Sequence, residues 1–332
     1  MRQRPPLGYV LALVGASLFA WLGPLSRFAY DAGMGPLAFV AWRAGVGSLI
    51  LGAIIALRVA TARNRRRAPA VAVPRREVAA LLGAAVLAML LNIAIFAAFS
   101  RVTVAVALLA IYTYPAMVAA VAVLLGRERA TRATFVALAL ALGGMAIVVA
   151  GSVDPAAPVV VDALGVLLGL AAAAFQTVFV LVSRTAYRSI PTERATAVIL
   201  GGAAVGCVLI AVGIGEVGSI VAPFGSPGVL PILLVAGSLG AALPSLFFLA
   251  AIRLIGGTRT GILMLFEPVV AVVLAAILLH EPLRPIQVLG AAGVLGAAVL
   301  IQRASRGDAD ASDSVEAVES PDVLGVRAPG GP

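Results

Sequence analysis

The sequence contains no lysine and almost no cysteine or histidine, the residues that form disulfides and many metal sites. Its 332 residues include one cysteine, Cys207, and one histidine, His280. A single cysteine excludes an internal disulfide, and one cysteine with one histidine is too few for a Cys/His metal site. We therefore expect no metal ion and no other cofactor.

Charged residues are also scarce, at 12% of the chain, whereas a soluble domain usually has about 25%. Hydrophobic residues make up 62%, and the mean hydropathy is +1.10, which indicates an integral membrane protein. The formal net charge of +9 is the kind of balance that also occurs in nucleic-acid-binding proteins. Here the arginines fall mostly in short loops between apolar runs, which is a topology signal, so we expect no nucleic acid partner.

Ten apolar segments are long enough to cross a bilayer, whose core of about 30 Å requires about 20 residues per helix. The sequence therefore predicts an all-α polytopic membrane protein with ten transmembrane helices. The predicted segments are 8–27, 36–57, 78–99, 103–125, 133–151, 163–183, 195–215, 229–251, 260–279 and 285–302.

The arginines lie mainly on one side of the predicted segments. If the N-terminus is cytoplasmic, the cytoplasmic side holds most of them, including a cluster in residues 58–76. This asymmetry predicts a multi-pass protein of the cytoplasmic (inner) membrane with both termini in the cytoplasm. We expect the arginine-rich residues 63–76 to contact anionic membrane lipids. Residues 303–332 are rich in acidic residues, Ser, Gly and Pro, and predict a disordered acidic cytoplasmic tail.

The chain contains an internal repeat. The stretch that starts at Thr113 aligns without gaps on the stretch that starts at Phe266, a constant offset of 153 (266 − 113), which places Pro115 on Pro268. Five helices per copy is an odd number, so the second copy enters the membrane from the opposite side. The sequence thus predicts two inverted five-helix repeats, residues 1–151 and 152–302. Many secondary transporters have this architecture, with the binding site at the repeat interface near the membrane midplane.

The order of motifs resembles a known family. Each repeat has a proline followed by a glutamate thirteen residues later, 115 to 128 and 268 to 281, ahead of a glycine-containing last helix. This pattern is similar to the drug/metabolite transporter superfamily, and more closely to its EamA-type branch. The resemblance implies efflux of amino acids or other small metabolites, either proton-coupled or facilitated. It also implies a central cavity lined by helices 1, 3, 4, 6, 8 and 9.

Glu267 is the most prominent candidate for binding substrate. It lies about seven residues into the ninth segment, hence roughly 10 Å deep at about 1.5 Å per residue. An ionised carboxylate costs about 2.5–3.5 kcal/mol at the centre of a membrane helix, so Glu267 is suited to carry a proton or to pair with a substrate ammonium. The alternative is structural: Pro268 leaves a backbone carbonyl unpaired, to which a protonated Glu267 donates. Pro115 and Pro268 are the predicted helix kinks.

Tyr114 occupies the position of Glu267 in the first repeat, and Tyr112 lies two residues earlier. Residues two apart lie on different helix faces, so we expect only one of these tyrosines to point inward. Arg43 lies about seven residues from the outer end of the second segment, and either pairs with an acidic group or contacts a substrate anion. The other candidates for binding substrate, with interhelical hydrogen bonding as the alternative, are Trp21, Asn92, Gln176 and Ser245, of which Asn92 and Ser245 correspond at the 153 offset.

The favoured function is a secondary transporter that moves a small metabolite by alternating access. The alternative is a membrane-embedded enzyme acting on a lipid-linked substrate, which requires clustered Asp, His or Arg at the membrane face. With one histidine and no carboxylate pair inside a segment, the sequence predicts no catalytic residues and no enzyme. Gly290, Gly293 and Gly296 predict close packing of the last helix, within the chain or in a homodimer. Glu128 and Glu281 are expected to end helices at the interface.

Overall fold

The computed structural model of the protein describes residues 5–31, 33–62, 73–99, 101–102, 104–126, 131–151, 153, 161–225, 228–278 and 284–319. All regular structure in these ranges is helical. The α-helices are α1 Pro5–Phe19, α2 Leu22–Asp31, α3 Pro36–Ala62, α4 Arg75–Phe99, α5 Val104–Ile111, α6 Tyr114–Leu124, α7 Arg132–Gly151, α8 Ala163–Thr185, α9 Thr192–Gly213, α10 Val217–Gly225, α11 Val229–Gly237, α12 Leu243–Ile255, α13 Gly257–Met264, α14 Glu267–Leu278 and α15 Pro285–Glu319, with a π-helical turn, Ser238–Ala242, between α11 and α12.

Within the described residues, eight helical segments are long and apolar enough to cross a membrane: Pro36–Thr61, Arg75–Ile95, Val106–Leu124, Arg132–Gly151, Ala163–Thr185, Thr192–Gly213, Val229–Ile255 and Gly257–Leu274. Two shorter apolar helices, Pro6–Phe19 and Pro285–Ile301, correspond to the first and last predicted segments. The protein is therefore a multi-pass, all-helical membrane protein, as its composition indicates.

The structure differs from the sequence prediction at three places. The first predicted segment is two helices, because the chain turns at Ala20 and Trp21 and the next helix contains Pro24, which has no N–H to donate. The short helix α10 was not predicted, since it is below the length that a hydropathy pattern detects. The last helix continues to Glu319 where the sequence predicted a disordered tail, because residues 303–319 contain no proline to stop it. Residues 320–332, Glu128 and Glu281 lie outside the described residues.

The internal repeat is visible in the helix boundaries. In the first half α5 ends at Ile111 and α6 begins at Tyr114. Adding the offset of 153 gives 264 and 267, and in the second half α13 ends at Met264 and α14 begins at Glu267. The same offset carries the start of α7 onto the start of α15, since 132 + 153 = 285. Each half therefore has one membrane segment interrupted at the equivalent residue.

The most extensive helix packing joins one half of the chain to the other. Helix α7 packs along α15, α3 along α9, α4 along α8, and α1 along α12. When the membrane segments are numbered one to five within each half, the two fifth segments (α7 and α15) pack together, and so do the two second segments (α3 and α9). The third segment of each half packs on the first segment of the other half, α4 on α8 and α12 on α1. The two halves therefore interlock as related units, and neither half forms its main interfaces within itself.

Glycine makes the closest of these interfaces possible. A Cβ on Gly144 would lie 2.5 Å from the carbonyl oxygen of Gly290, and a Cβ on Gly290 would lie 2.6 Å from that of Gly144. A Cβ on Gly293 would lie 3.4 Å from the Cα of Gly144. Gly290 and Gly293 thus serve packing inside the chain, whereas Gly296, which the sequence grouped with them, faces open space.

Candidate functional site

A cavity of about 740 Å³ lies between the two halves of the chain. The first half lines it with residues of α1 to α6 and the second with residues of α8, α9, α12, α13 and α14. The second and seventh predicted segments contribute too, beyond the six that the family resemblance implied. Most of the wall is apolar, and its polar residues are Ser26, Tyr30, Arg43, Asn92, Tyr112, Tyr114, Gln176, Thr196, Ser245 and Glu267.

Glu267 lies at the cavity wall, and the structure places it at the start of a helix, where the sequence analysis expected it about seven residues inside one. It is the first residue of α14, directly after the interruption that separates α14 from α13. The first N–H groups of a helix have no partner within the helix, and the helix dipole makes this end favourable for negative charge. The carboxyl group is therefore at the start of a half-helix rather than inside a continuous one. Pro268 follows at the second position, where its missing N–H costs little, and it also lines the cavity.

Tyr112 and Tyr114 both line the cavity, so the expectation that only one points inward is wrong. The expectation assumed one continuous helix. The chain instead turns between the end of α5 and the start of α6, which changes the rotation between these two residues. Both are largely buried, at 7% and 4% exposure. The Tyr112 and Glu267 side chains are close enough to interact, and Tyr114 begins its half-helix as Glu267 begins the equivalent one.

Pro115 supports the cavity from behind instead of facing it. A Cβ on Gly261 would lie 3.2 Å from the Cβ of Pro115, and a Cβ on Gly257 would lie 2.7 Å from Val180. These two glycines let α13 pack closely on α6 and α8. The glycine-rich sequence at 256–261 is thus used for helix packing around the interrupted segments.

Arg43 carries the cavity's positive charge from α3, and it is only 9% exposed. Its Nη2 donates to Oδ1 of Asn92 at 2.7 Å, and Asn92 Nδ2 donates to the carbonyl of Ala88 at 2.7 Å. Arg43 Nε is buried with no hydrogen-bond partner among the described residues. Arg43 and Glu267 interact electrostatically, but they form no ion pair. The hydrogen-bond partner of Arg43 is therefore the Asn92 amide, whereas the sequence analysis offered an acidic group as one alternative.

The remaining polar candidates reach the cavity from several helices. Gln176 of α8 lines it, as do Asn92 and Ser245, which correspond at the 153 offset. Ser245 follows the π-helical turn Ser238–Ala242, and such turns occur often at functional sites. Thr196, the residue that aligns with Arg43 at the same offset, lines the cavity as well.

Trp21 is the predicted site residue that does not line the cavity. It lies at the turn between α1 and α2 with 39% of its surface exposed, while its neighbours Phe19, Ala20 and Leu22 face inward. The turn directs Trp21 away because it ends the helical rotation that the prediction assumed.

Sequence reasoning missed several lining residues. Tyr30 and Ser26 belong to α2, whose separate existence the hydropathy pattern does not reveal. Phe179 could have been predicted as a lining residue, because it lies three residues after the candidate Gln176 and hence on the same helix face. It stacks against Phe248 of α12, with ring centroids 6.5 Å apart.

A cluster of hydrogen bonds joins two helices to the connection between α8 and α9. Arg253, near the end of α12, donates from Nη1 to the carbonyl of Ile190 at 2.8 Å and from Nη2 to that of Tyr187 at 3.1 Å. Its guanidinium also lies over the Tyr187 ring, 5.3 Å from the centroid. Glu77, near the start of α4, accepts from the N–H and hydroxyl of Ser189 at 3.0 and 2.6 Å. The connection between α8 and α9 is thereby held to both α12 and α4.

Comparison with known proteins assigns the family. The sequence model of the EamA-like transporter family matches residues 6–150 and, a second time, residues 163–303. The chain belongs to the EamA-like transporter family. The two matches coincide with the two halves described above, and the resemblance to EamA-type drug/metabolite transporters is confirmed. Since this is a family of membrane transporters and not of enzymes, the cavity belongs to a transporter and a small molecule is the expected partner.

The fold is also found in solved structures. One, titled "Crystal structure of protein", is 17% identical to this chain with a TM-score of 0.65, and the match covers 90% of this chain and 98% of that one. At this identity the likeness shows a shared fold alone. A search of curated proteins finds no match.

Proposed function

We propose that the protein is a secondary transporter that exports a small metabolite, such as an amino acid, by alternating access coupled to protons. The observation that carries this proposal is the cavity of about 740 Å³ at the interface of the two halves, with a carboxyl group at the start of a half-helix in its wall. Transporters with repeated halves bind substrate at this kind of interface, where interrupted helices expose polar ends.

The proposed architecture has ten spans in two inverted repeats. The eight long apolar segments and the two shorter apolar helices support ten spans, and the shared offset of 153 in the helix boundaries supports the repeat. The arginine distribution favours an inner-membrane protein with both termini in the cytoplasm. Export is the direction that the family resemblance implies.

Glu267 is the proposed proton carrier. It is the acidic residue among those that line the cavity, and it forms no ion pair with Arg43 or another described residue. A carboxyl group that is not locked in an ion pair remains free to gain and lose a proton. Protonation changes the charge of the cavity, and transport is coupled to protons when the outward and inward states bind the proton with different affinities.

The other polar side chains of the wall are the proposed substrate contacts: Tyr112, Tyr114, Asn92, Gln176, Ser245 and Arg43. Their spacing around a largely apolar wall is the composition typical of sites for small molecules, in which a few polar groups fix the orientation of the ligand.

The test is transport by purified protein in liposomes with a labelled amino acid panel and an imposed pH gradient. Glu267→Gln removes the titratable group and keeps the shape of the side chain. We expect this variant to fold, to exchange labelled for unlabelled substrate without a gradient, and to lose acceleration by the gradient. Glu216→Gln is the matched control, because Glu216 is exposed and does not line this cavity.

Two results would contradict the proposal. Glu267→Gln with the same response to the pH gradient as the unmodified protein would show that Glu267 carries no coupling proton. Failure of the unmodified protein to move any member of a broad metabolite panel, while it remains folded, would refute a transport function.

A further inference from the structure

We propose that Arg43, held in place by Asn92, is the residue that recognises the substrate's carboxylate, and that the transported molecule is a small organic acid with an apolar body. This inference deepens the proposed transport function and rests on it. It starts from a buried guanidinium in the cavity wall that the protein itself leaves incompletely satisfied.

Asn92 fixes the orientation of Arg43. Its Nδ2 donates to the Ala88 carbonyl within the same helix at 2.7 Å, so its Oδ1 must face the guanidinium, where it lies 2.7 Å from Nη2. Turning the amide over would place two donors against each other and would lose both bonds. Asn92 is thus a positioning residue that holds Arg43 at the wall in one orientation.

The guanidinium retains unused donors in this arrangement. It has five N–H groups, and Asn92 accepts from one nitrogen. Nε is buried without a partner, which is unusual because a buried donor without an acceptor is costly. Among the described residues Arg43 has no ion pair, so its donor set is incompletely satisfied, and Glu267 interacts with its charge only from beyond ion-pair distance. Nε itself has almost no surface open to the cavity, so the donors within reach of a ligand are the N–H groups of Nη1 and Nη2 that Asn92 leaves free, and an oxygen anion in the cavity would bind there.

A carboxylate fits better than a phosphate. The planar guanidinium offers parallel donors that match the two oxygens of a carboxylate, and the single charge on Arg43 balances a single negative charge. A phosphate dianion would require a second cation, and Arg43 is the cationic residue among those that line this cavity, while Glu267 repels two negative charges more strongly than one.

The rest of the wall indicates the body of the ligand. Phe19, Phe39, Phe179 and Phe248 line the same cavity with several aliphatic side chains. Such a wall gains free energy by covering apolar and aromatic surface. We therefore expect a carboxylate at one end of the substrate and an apolar group at the other.

The experiment is equilibrium dialysis of the purified full-length protein with three labelled probes of similar shape: 3-phenylpropionate, its neutral amide, and phenyl phosphate. We expect the carboxylate to bind and the amide and phosphate to bind at least about tenfold more weakly. Arg43→Gln should weaken carboxylate binding by about tenfold to a hundredfold, as loss of a charge-assisted hydrogen bond does, and should leave amide binding unchanged. Arg101→Gln is the matched control, because Arg101 is exposed and outside the cavity.

Asn92→Asp is the second variant, and it guards against a misfolded Arg43→Gln. The substituted carboxylate keeps the shape of the amide, gives up the hydrogen bond to the Ala88 carbonyl, and forms an ion pair with Arg43 that neutralises it. We expect a folded protein that has lost its preference for the carboxylate probe. If Asn92→Asp binds 3-phenylpropionate as tightly as the unmodified protein does, Arg43 does not recognise the carboxylate.

The remaining outcomes separate this inference from the transport function. Absence of 3-phenylpropionate binding to the unmodified protein, equal binding of the amide, or tighter binding of phenyl phosphate overturns the inference. Transport in liposomes that Arg43→Gln leaves intact for carboxylates also overturns it, while transport itself stands. Binding that depends on Arg43, without transport of any carboxylate, supports the site and contradicts the transport function.

Discussion

Adding one methyl group to Gly144 tests the proposed contact between the two halves. The Cβ of an alanine there would lie 2.5 Å from the carbonyl oxygen of Gly290 and 2.9 Å from the backbone nitrogen of Val294. Both atoms belong to the backbone, so no side-chain rotation relieves the overlap, and α7 must move away from α15. Overpacking of this kind costs typically about 1–3 kcal/mol.

The neighbouring residue offers a control that isolates this cost. Gly143 is also within α7 and is exposed, and a Cβ added to it would have no atom of another element within 4 Å. Replacing glycine by alanine inside a helix gains about 0.8–1.0 kcal/mol of helix propensity, and this gain is common to both positions. The difference in unfolding free energy between Gly144→Ala and Gly143→Ala is therefore the packing cost alone, about 1–3 kcal/mol, or roughly fivefold to 150-fold in the equilibrium constant.

The assay is unfolding in mixed micelles with increasing SDS, followed by circular dichroism. Gly144→Ala should unfold at a lower SDS fraction than Gly143→Ala, and Gly143→Ala at the same SDS fraction as the unmodified protein or a higher one. Neither glycine lines the cavity, so both variants should bind the same ligands as the unmodified protein. Equal stability of the two variants would refute the close contact of α7 and α15.

Two further predictions concern a partly buried arginine and a buried cysteine, neither of which lines this cavity. Arg253→Gln removes the hydrogen bonds to the carbonyls of Ile190 and Tyr187 and should lower the unfolding free energy by about 1–3 kcal/mol in the same assay. The control Arg101→Gln should change the unfolding free energy by less than about 1 kcal/mol, because the ion pair of Arg101 with Asp162 is exposed. Similar losses in both variants would contradict the role of Arg253. Cys207 is fully buried and should resist N-ethylmaleimide in the native protein and react in SDS, as measured by mass spectrometry, and rapid native labelling would contradict its position.

Much of the helical organisation was predictable from the sequence. Long apolar runs that cross a bilayer form helices, because every backbone N–H and C=O group must find its hydrogen-bond partner within the segment. The repeat was also visible, since Pro115 and Pro268 stay in register at the constant offset of 153. Each proline is the second residue of the helix that follows an interruption, and a missing N–H removes one hydrogen bond from any helix that would continue across that point.

The candidate site was predictable in its members more than in its geometry. Polar side chains inside apolar segments are costly, so residues such as Arg43, Asn92 and Glu267 stand out, and these do line the cavity. Tyr30 was missed, and Trp21 lies outside the cavity that the other candidates line, for a common reason. A hydropathy pattern does not show the turn at residues 20–21, and that turn decides which of the neighbouring side chains face inward.

By itself, the sequence determined the solvent in which the chain folds, the helical class, the repeat and the family, because these depend on composition and on spacing along one chain. The tertiary structure alone decided that Glu267 begins a half-helix, that both tyrosines face the cavity, and that Arg43 is bound by Asn92 and leaves Nε unpaired. Those facts depend on contacts between segments far apart in the chain. Such contacts are set by how the two halves pack, and no local pattern encodes them.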